Sequence, residues 1–193
     1  MLETMLNLAK AFAGESQARN RYTYYASVAK KEGYEKISAI FAETADQEKE
    51  HAKMILKLLN QLKSKYKKNI ELIVEASVPT TYGTTKENLE SAIMGEHEEY
   101  SKMYPEFAKI AKKEGLPDIA KRLENIAIAE KHHEERYKKL KKELENKTMF
   151  KKSKSVTWVC RNCGYVHTGK EAPEVCPSCD HPRAHFEVKC ENY

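Results

Sequence analysis

The chain has 193 residues, of which 33% are charged and 40% hydrophobic, and its net charge is +5 at pH 7. This length allows one large domain, or a medium domain together with a very small one. The basic residues are spread through the sequence rather than gathered in one patch, which is typical of a solvated surface and argues against nucleic-acid binding.

The N-terminal sequence MLETMLNLAKAFAGES (1–16) contains Glu3 and Lys10 and no unbroken apolar run. We therefore interpret it as neither a signal peptide nor a membrane anchor. All five cysteines lie after residue 159, and four of them form two C-x-x-C pairs. In a chain without an export signal, such pairs favour metal ligation over disulfide formation. We expect a cytoplasmic protein that does not associate with membranes.

Apolar residues recur at helical spacing through most of the first 147 residues. They predict four helices, over approximately 3–31, 35–66, 84–113 and 117–147. Short glycine-containing connections join the helices within each pair, whereas the segment 67–85, with Pro79 and Gly83, runs between the pairs. The predicted fold is mainly α: two helical hairpins joined by one long crossover, which is the ferritin-like form of the four-helix bundle.

The two hairpins are related by an internal repeat. When the sequence is shifted by 82 residues, 28–51 aligns with 110–133 and ten of the 24 positions are identical. The sequence Glu-x-x-His recurs in both copies, as Glu48 with His51 and as Glu130 with His133. The bundle is therefore predicted to be a duplicated hairpin in which polar residues recur along with apolar ones.

Each predicted helix places glutamate on its apolar stripe, near the middle of its length. The stripe residues that could ligate a metal are Glu15, Glu48, His51, Glu96, Glu99, Glu130 and His133. Burying so many ionisable groups together without counter-charge would cost several kcal/mol per ion. Carboxylate and imidazole without thiolate suit iron or manganese, and this arrangement is typical of di-metal carboxylate bundles.

Helical geometry separates the histidines of this region. At about 100° per residue, positions i and i+3 share a face, so Glu130 and His133 can hold one metal together. His132 points away from Glu130, and His97 lies to one side of Glu96. We predict that His97 and His132 lie at the surface or in a second layer around the site.

The last part of the chain has a different character. A basic, serine-containing linker is predicted over 148–155, and a small second domain over 156–193, too small to fold on a hydrophobic core alone. The predicted metal ligands of this domain are Cys160, Cys163, Cys176 and Cys179. Their spacing suits one tetrahedral ion, either a structural zinc or a redox-active iron. Cys190 falls outside this spacing.

Taken together, these motifs resemble the rubrerythrin family. The resemblance covers essentially the whole chain and rests on the motifs GESQARNRY (14–22), EKEH (48–51), GEHEEYSKMYPEFA (95–108), AEKHHEERY (129–137) and WVCRNCGYVHTGKEAPEVCPSCDHP (158–182). It implies a ferritin-like di-iron bundle over 1–147 and a C-terminal rubredoxin-like domain that binds one iron through four cysteines.

The resemblance also implies roles for individual residues. One iron would be held by Glu15, Glu48 and either Glu99 or His51, and the other by Glu96, Glu130 and His133, with oxo and carboxylate bridges. Tyr22 and Tyr104 fall where the family has tyrosines that hydrogen-bond the iron-bound carboxylates. The family and the charge balance both suggest a redox-linked exchange, with His51 as ligand to ferrous iron and Glu99 to ferric iron. Glu99 and Tyr104 are further expected to act in proton transfer and hydrogen bonding.

The activity implied by the resemblance is reduction of hydrogen peroxide to water, as a defence against oxidative stress. The rubredoxin-like iron would relay electrons from an external donor, either an NAD(P)H-linked reductase or a rubredoxin. A homodimer is expected, in which the rubredoxin-like domain of one chain lies near the di-iron site of the other. Two alternatives remain open from the sequence: a ferroxidase or iron-handling protein of the ferritin-like class, and a zinc-ribbon interaction protein.

Overall fold

Two long helices form the first hairpin in the computed structural model, which describes residues 3–65 and 71–191. Helix α1 spans Glu3–Lys31 and α2 spans Glu35–Lys65. Gly33 between them has a φ of +82°, a left-handed conformation that ends α1 without steric cost. The predicted end of the second helix at residue 66, and the predicted crossover residues 67–70, lie outside the described residues.

The second hairpin contains an irregularity that the sequence does not predict. Helix α3 spans Thr85–Glu98, a π-helical turn follows over Glu99–Met103, and α4 continues over Tyr104–Lys113. Helix α5 then spans Pro117–Glu145. The continuous α-helix predicted over 84–113 is therefore wrong in one respect, because a π turn interrupts it.

The π turn changes which residues face the core. A turn of this kind contains one more residue than a regular α turn, so every later position is rotated about the helix axis. Regular helical spacing continued from Glu99 places Met103 and Ile110 on the core face, but both are only half-buried. Tyr104 and Ala111, one position later, are fully buried instead.

The apolar core of the bundle is divided into two clusters. One contains Leu8, Ile55 and Leu123, and the other contains Tyr22 and Phe41. The glutamates on the stripes lie between these clusters, so the apolar layers screen the middle of the bundle from water at both ends. In the described ranges 3–65 and 71–191, no helix is long and apolar enough to cross a membrane.

The C-terminal domain is a small antiparallel sheet with strand order β2-β1-β3. The strands span Lys151–Cys160, Val166–Glu171 and Phe186–Val188. Strand β1 thus begins inside the segment 148–155 that the sequence predicts as a linker. Trp158 is fully buried in this domain, where its indole N–H donates to the carbonyl of Gly169 at 3.0 Å.

The small domain contacts the end of the first helical hairpin. The ring of Phe150 stacks on that of Tyr34, with centroids 6.4 Å apart. His185 Nε2 lies 3.8 Å from a carboxylate oxygen of Glu35, at the start of α2. These contacts place the C-terminal domain near the first turn of α2 rather than beside its middle.

Candidate metal centres

The predicted ligands of the bundle converge into two overlapping groups. In each group the potential ligand atoms all lie within 4.8 Å of one another. The first group is Glu15, Glu48, His51 and Glu130, and the second is Glu48, Glu96, Glu130 and His133. Glu48 and Glu130, which are repeat partners, belong to both groups and are therefore positioned to bridge two ions.

Two buried tyrosines hold carboxylates of this cluster. The hydroxyl of Tyr22 donates to Glu96 Oε1 at 2.5 Å, and the hydroxyl of Tyr104 donates to Glu15 Oε1. Tyr104 reaches Glu15 because the π turn rotates it into the core. These contacts agree with the hydrogen-bonding roles predicted for both tyrosines from the family resemblance.

The cluster is strongly coupled in its protonation. Burial raises the pKa of Glu96 to about 8, assisted by repulsion from Glu48. Burial alone would lower the pKa of His133, but the adjacent carboxylates of Glu130, Glu48 and Glu96 outweigh it and raise that pKa to about 12. His51 is affected in the same direction by its own carboxylate neighbours. Without a metal, this cluster therefore balances its charge with protons.

Several buried ligand atoms make no hydrogen bond within the described part of the chain. They are Glu15 Oε2, Glu48 Oε1, Glu96 Oε2, both carboxylate oxygens of Glu130 and His133 Nδ1. His133 Nδ1 lies 2.9 Å from Glu130 Oε2 but makes no hydrogen bond with it. Buried polar atoms without partners are costly, and atoms that converge in this way fit metal ions. The donor set matches a di-iron carboxylate site.

Glu99 lies apart from both ligand groups. It is the first residue of the π turn and is half-buried, and it lines a cavity of about 1090 Å³. The cavity runs between α1, α3 and the described part of the crossover, and Gly14, Gln17 and Arg21 form part of its wall. Burial, followed by repulsion from Glu96 and other carboxylates, raises the pKa of Glu99 well above its usual value. Glu99 thus stands between the cavity and the cluster.

The two histidines predicted to lie at the surface or in a second layer around the site are both exposed. His132 is exposed, and the side chain of His97 is 53% exposed. His97 Nδ1 also lies 2.9 Å from the buried carboxylate of Glu134, a contact between α3 and α5 that the sequence analysis missed. Glu134 directly follows His133 and lies beside the apolar stripe of α5. Only a wider stripe than the regular spacing defines would have predicted its burial.

Sequence reasoning also missed a residue that touches the cluster directly. Gln47 Oε1 lies 3.0 Å from His133 Nε2. Gln47 precedes Glu48 in α2 and is half-buried. From the sequence alone, a glutamine beside the apolar stripe is expected to face solvent. Only the apposition of α2 and α5 reveals this contact.

The four predicted cysteines of the small domain form a second candidate site. All four sulfur atoms lie within 4.8 Å of one another. The Cys160 and Cys179 sulfurs are 3.9 Å apart, and those of Cys163 and Cys176 are 3.6 Å apart. A tetrahedral ion about 2.3 Å from each sulfur requires separations of about 3.8 Å. The observed spacing fits such an ion, and Cys190 is not among the four.

The two cysteine pairs sit in matching turns. Gly164 follows the first pair and Asp180 the second, and both adopt positive φ, at 77° and 57°. A backbone hydrogen bond from Tyr165, followed by the neighbouring thiols, lowers the pKa of Cys163 to about 6. This sulfur is therefore a thiolate at neutral pH, as metal ligation requires.

Comparisons with known proteins agree with both sites. A rubrerythrin family model matches residues 7–141, and a model of the rubrerythrin rubredoxin-like domain matches residues 158–187. The chain belongs to the rubrerythrin family. Rubrerythrin-1 of Clostridium acetobutylicum is 50% identical over 191 residues, covering 99% of this chain and 96% of that protein. A Methanocaldococcus jannaschii protein is 60% identical over 195 residues, with coverage of 100% and 96%.

Solved structures give the same result for the fold. Fully reduced, all-ferrous nigerythrin aligns with a TM-score of 0.65 and 31% identity, covering 98% of this chain and 88% of that chain. The predicted ferritin-like bundle with a rubredoxin-like domain is thereby confirmed. Rubrerythrins carry a di-iron carboxylate site and a four-cysteine site suited to one iron, and the residues described above fit both. Family membership indicates a di-iron oxidoreductase that detoxifies peroxide.

Proposed function

We propose that this chain reduces hydrogen peroxide to water at the di-iron site, with electrons relayed through the four-cysteine iron. The observation that carries the proposal is the coexistence in one chain of two ligand groups sharing Glu48 and Glu130 and of a four-thiolate site. A pair of irons supplies the two electrons that cleavage of an O–O bond needs, and a single thiolate-bound iron can return electrons one at a time.

The proposed ligand assignment follows the two groups. Glu48 and Glu130 would be shared by both irons, Glu15 and His51 would complete the first site, and Glu96 and His133 would complete the second. Glu99 would be the remaining ligand of the first iron and would take the place of His51 in the oxidised state. His51 is suited to leave because its side chain is 16% exposed, against 3% for His133. Unchanged coordination of the reduced protein and unchanged peroxide turnover in His51→Ala would overturn this assignment.

Residues around the site bind and orient its reactive groups. Tyr22 and Tyr104 hold the carboxylates of Glu96 and Glu15 through their hydroxyl groups, so that each carboxylate keeps one oxygen for the metal. Burial, followed by repulsion from Glu96 and other carboxylates, raises the pKa of Glu99 and so favours the protonated form of its carboxyl group when it is not a metal ligand. Glu99 is thus placed to give a proton to peroxide oxygen that enters from the cavity.

The cavity supplies a route for the substrate. Its volume of about 1090 Å³ greatly exceeds that of hydrogen peroxide, so its walls do not select the substrate by size. Selection would instead depend on the fit of the O–O group between the two ions. Polar residues in its wall, including Gln17 and Arg21, offer hydrogen-bonding groups to a small polar molecule.

Electrons are proposed to pass between chains of a homodimer. Glu35, which the small domain contacts, lies thirteen residues before Glu48 in α2, a separation of about 20 Å along the helix. Electron transfer slows steeply with distance, so a closer approach by the small domain of a second chain would favour the relay. The proposed donor to the four-cysteine iron is an external rubredoxin or an NAD(P)H-linked reductase.

The decisive experiment is anaerobic stopped-flow mixing of the fully reduced protein with hydrogen peroxide and, separately, with oxygen. We expect rapid oxidation by peroxide and much slower oxidation by oxygen, followed by oxidation of the four-cysteine iron. Fast oxidation by oxygen with slow oxidation by peroxide would instead support a ferroxidase. A four-cysteine site bound to iron should be red and should be bleached by dithionite. A colourless site would indicate zinc and would remove the relay.

A further inference from the structure

The two imidazoles of the di-metal site are held very differently. His133 presents Nδ1 to the cluster, 2.9 Å from Glu130 and 3.1 Å from Glu48, and its other nitrogen, Nε2, lies 3.0 Å from Gln47 Oε1. His51 also presents Nδ1 to the cluster, 2.9 Å from Glu130. In the described ranges, the polar contacts of His51 involve Nδ1 alone.

Gln47 belongs to a polar chain that fixes its orientation. Its amide nitrogen donates to Glu43 Oε1 at 3.2 Å, and the same oxygen accepts from Arg136 at 2.8 Å. Arg136 in turn donates to Thr44 Oγ1 at 3.0 Å, so the chain links α5 back to α2. Because a carboxylate only accepts, Gln47 turns its NH₂ toward Glu43 and its carbonyl oxygen toward His133.

This orientation determines the tautomer of His133. The carbonyl oxygen of Gln47 can only accept, so Nε2 of His133 carries a hydrogen. In the neutral ring that metal ligation requires, the lone pair is then on Nδ1, the nitrogen that faces Glu48 and Glu130. A hydrogen bond of this kind fixes both the tautomer and the ring orientation of a metal ligand.

The repeat partner of this hydrogen-bonded series, near His51, lacks the corresponding polar residues. With a shift of 82 residues, Gln47 corresponds to Ala129, which has no polar group to offer His51. The other members of this hydrogen-bonded series are not repeated either: Glu43 corresponds to Asn125, and Arg136 corresponds to Met54. Among the described residues, the bundle thus retains both histidines but gives a polar partner at Nε2 to His133 alone.

We propose that Gln47 is a positioning residue that keeps His133 a permanent metal ligand, and that Ala129 leaves His51 able to leave its iron. The ligand-exchange part rests on the proposed function, because it concerns the replacement of His51 by Glu99 on oxidation. The support of His133 by Gln47 does not depend on turnover. The asymmetry between Gln47 and Ala129 therefore selects which half of the repeat changes its coordination.

The first test replaces Gln47 by methionine, which has a similar length but cannot accept a strong hydrogen bond. Zn(II) is loaded into the full chain, because this ion has no redox chemistry. We expect Gln47→Met to weaken binding of the ion that His133 ligates by about tenfold to a hundredfold, measured by chelator competition. Nitrogen NMR of the histidine rings should show that His133 no longer holds a single tautomer.

Two further variants separate this role from a loss of folding. Gln47→Glu keeps an acceptor opposite Nε2, and we expect it to restore the His133 tautomer. Glu43→Gln, at an exposed position, leaves His133 and Gln47 in place but weakens the orientation of the Gln47 amide, and we expect an intermediate loss of affinity. Unchanged tautomer and affinity in Gln47→Met would overturn the proposal.

The reciprocal variant tests the exchange. Ala129→Gln introduces an acceptor at the repeat position, and we expect His51 to stay bound in both oxidation states, as seen in structures of the oxidised and reduced iron protein. Departure of His51 on oxidation in this variant would overturn the second half of the proposal. Failure of peroxide reduction in the wild type, with the Zn(II) results as expected, would remove the proposed function and the exchange that rests on it, but not the support of His133 by Gln47.

Discussion

Burial and charge act in opposite directions on the histidines of the cluster. Burial favours neutral rings, whereas the carboxylates that surround them favour imidazolium, and for His133 the carboxylates dominate and raise the pKa to about 12. Metal ligation requires the neutral ring. A proton must therefore leave His133 before a metal ion can bind to it, and the same holds for His51, whose pKa is also raised.

This competition predicts proton release when the bundle is loaded with metal at pH 7. His51 and His133 each lose a proton, and Glu96, whose pKa is about 8, loses most of another. With a contribution from Glu15, whose pKa is also raised, we expect on the order of three to four protons per chain. Titration with Zn(II) in buffers of different ionisation enthalpy, on protein whose four-cysteine site is already filled, measures this number. A release near zero would show that the cluster is already deprotonated.

A second prediction at this scale uses the adjacent histidines. His133 is buried in the cluster and His132 is exposed, although both follow Glu130 within three residues. We expect His133→Ala to lose one or both ions of the di-iron site while the four-cysteine iron stays bound. His132→Ala is the matched control and should keep the full metal content. Metal analysis and the visible spectrum report the outcome, and equal losses in the two variants would contradict the assignment.

Individual ligands were predictable to the extent that they obey the helical period. Glu15, Glu48 and Glu130 lie on stripes whose apolar neighbours are also buried, so their burial follows from spacing alone. Gln47 and Glu134 escaped prediction because each lies beside a stripe, at a position where polar residues usually face water. Their burial results from contacts between helices, which the sequence of one helix does not contain.

At the scale of secondary-structure elements, the π turn explains the main difference between the predicted and observed site. Four- and three-residue spacing carried the stripe through Glu99, Met103 and Ile110, but the extra residue in Glu99–Met103 rotates all later residues of α4 about the helix axis. Tyr104 thereby reaches Glu15, and Glu99 is left at the edge of the cavity. No residue in this segment forces a π turn by its own propensity, so periodicity alone could not reveal it.

Replacing each of two glycines by alanine is expected to change the stability of the bundle in opposite directions. Gly14 lies within α1, and a β-carbon added there would meet nothing within 4 Å. We expect Gly14→Ala to stabilise the bundle by about 0.5–1 kcal/mol, because alanine is the better helix former. Gly33→Ala should destabilise the bundle by about 1 kcal/mol, since its φ of +82° strains any residue with a side chain. Thermal unfolding of the metal-loaded protein compares the two, and a fall in Tm for Gly14→Ala would contradict the prediction.

At the scale of the whole molecule, the duplication accounts for both the symmetry and the asymmetry of the site. Repeat partners Glu48 and Glu130 occupy equivalent central positions, shared by both ligand groups. The C-terminal domain is not part of the repeat and packs against one end of the first hairpin, through Tyr34 and Glu35. Its sulfur cluster therefore lies far along α2 from the di-iron site of the same chain.

This separation leads to a prediction about electron flow in a mixed form of the proposed homodimer. One chain carries Cys160→Ser and Cys163→Ser, which remove its four-cysteine iron, and the other carries His133→Ala, which disables its di-iron site. Neither homodimer should sustain peroxide turnover. If electrons pass between chains, the mixed dimer retains one productive pair of centres and should recover about half of the wild-type rate, because a wild-type dimer holds two such pairs.

The mixed dimer is prepared by co-expression with two different affinity tags and purified over both, and turnover is measured with an external reductase and hydrogen peroxide. A matched control combines both defects in one chain and pairs it with a wild-type chain. Relay between chains leaves this control inactive, because each remaining centre then faces a disabled one. Relay within a chain reverses the two results: the control is active and the complementing dimer is not. The pattern thus distinguishes the two routes without depending on the absolute rate of either.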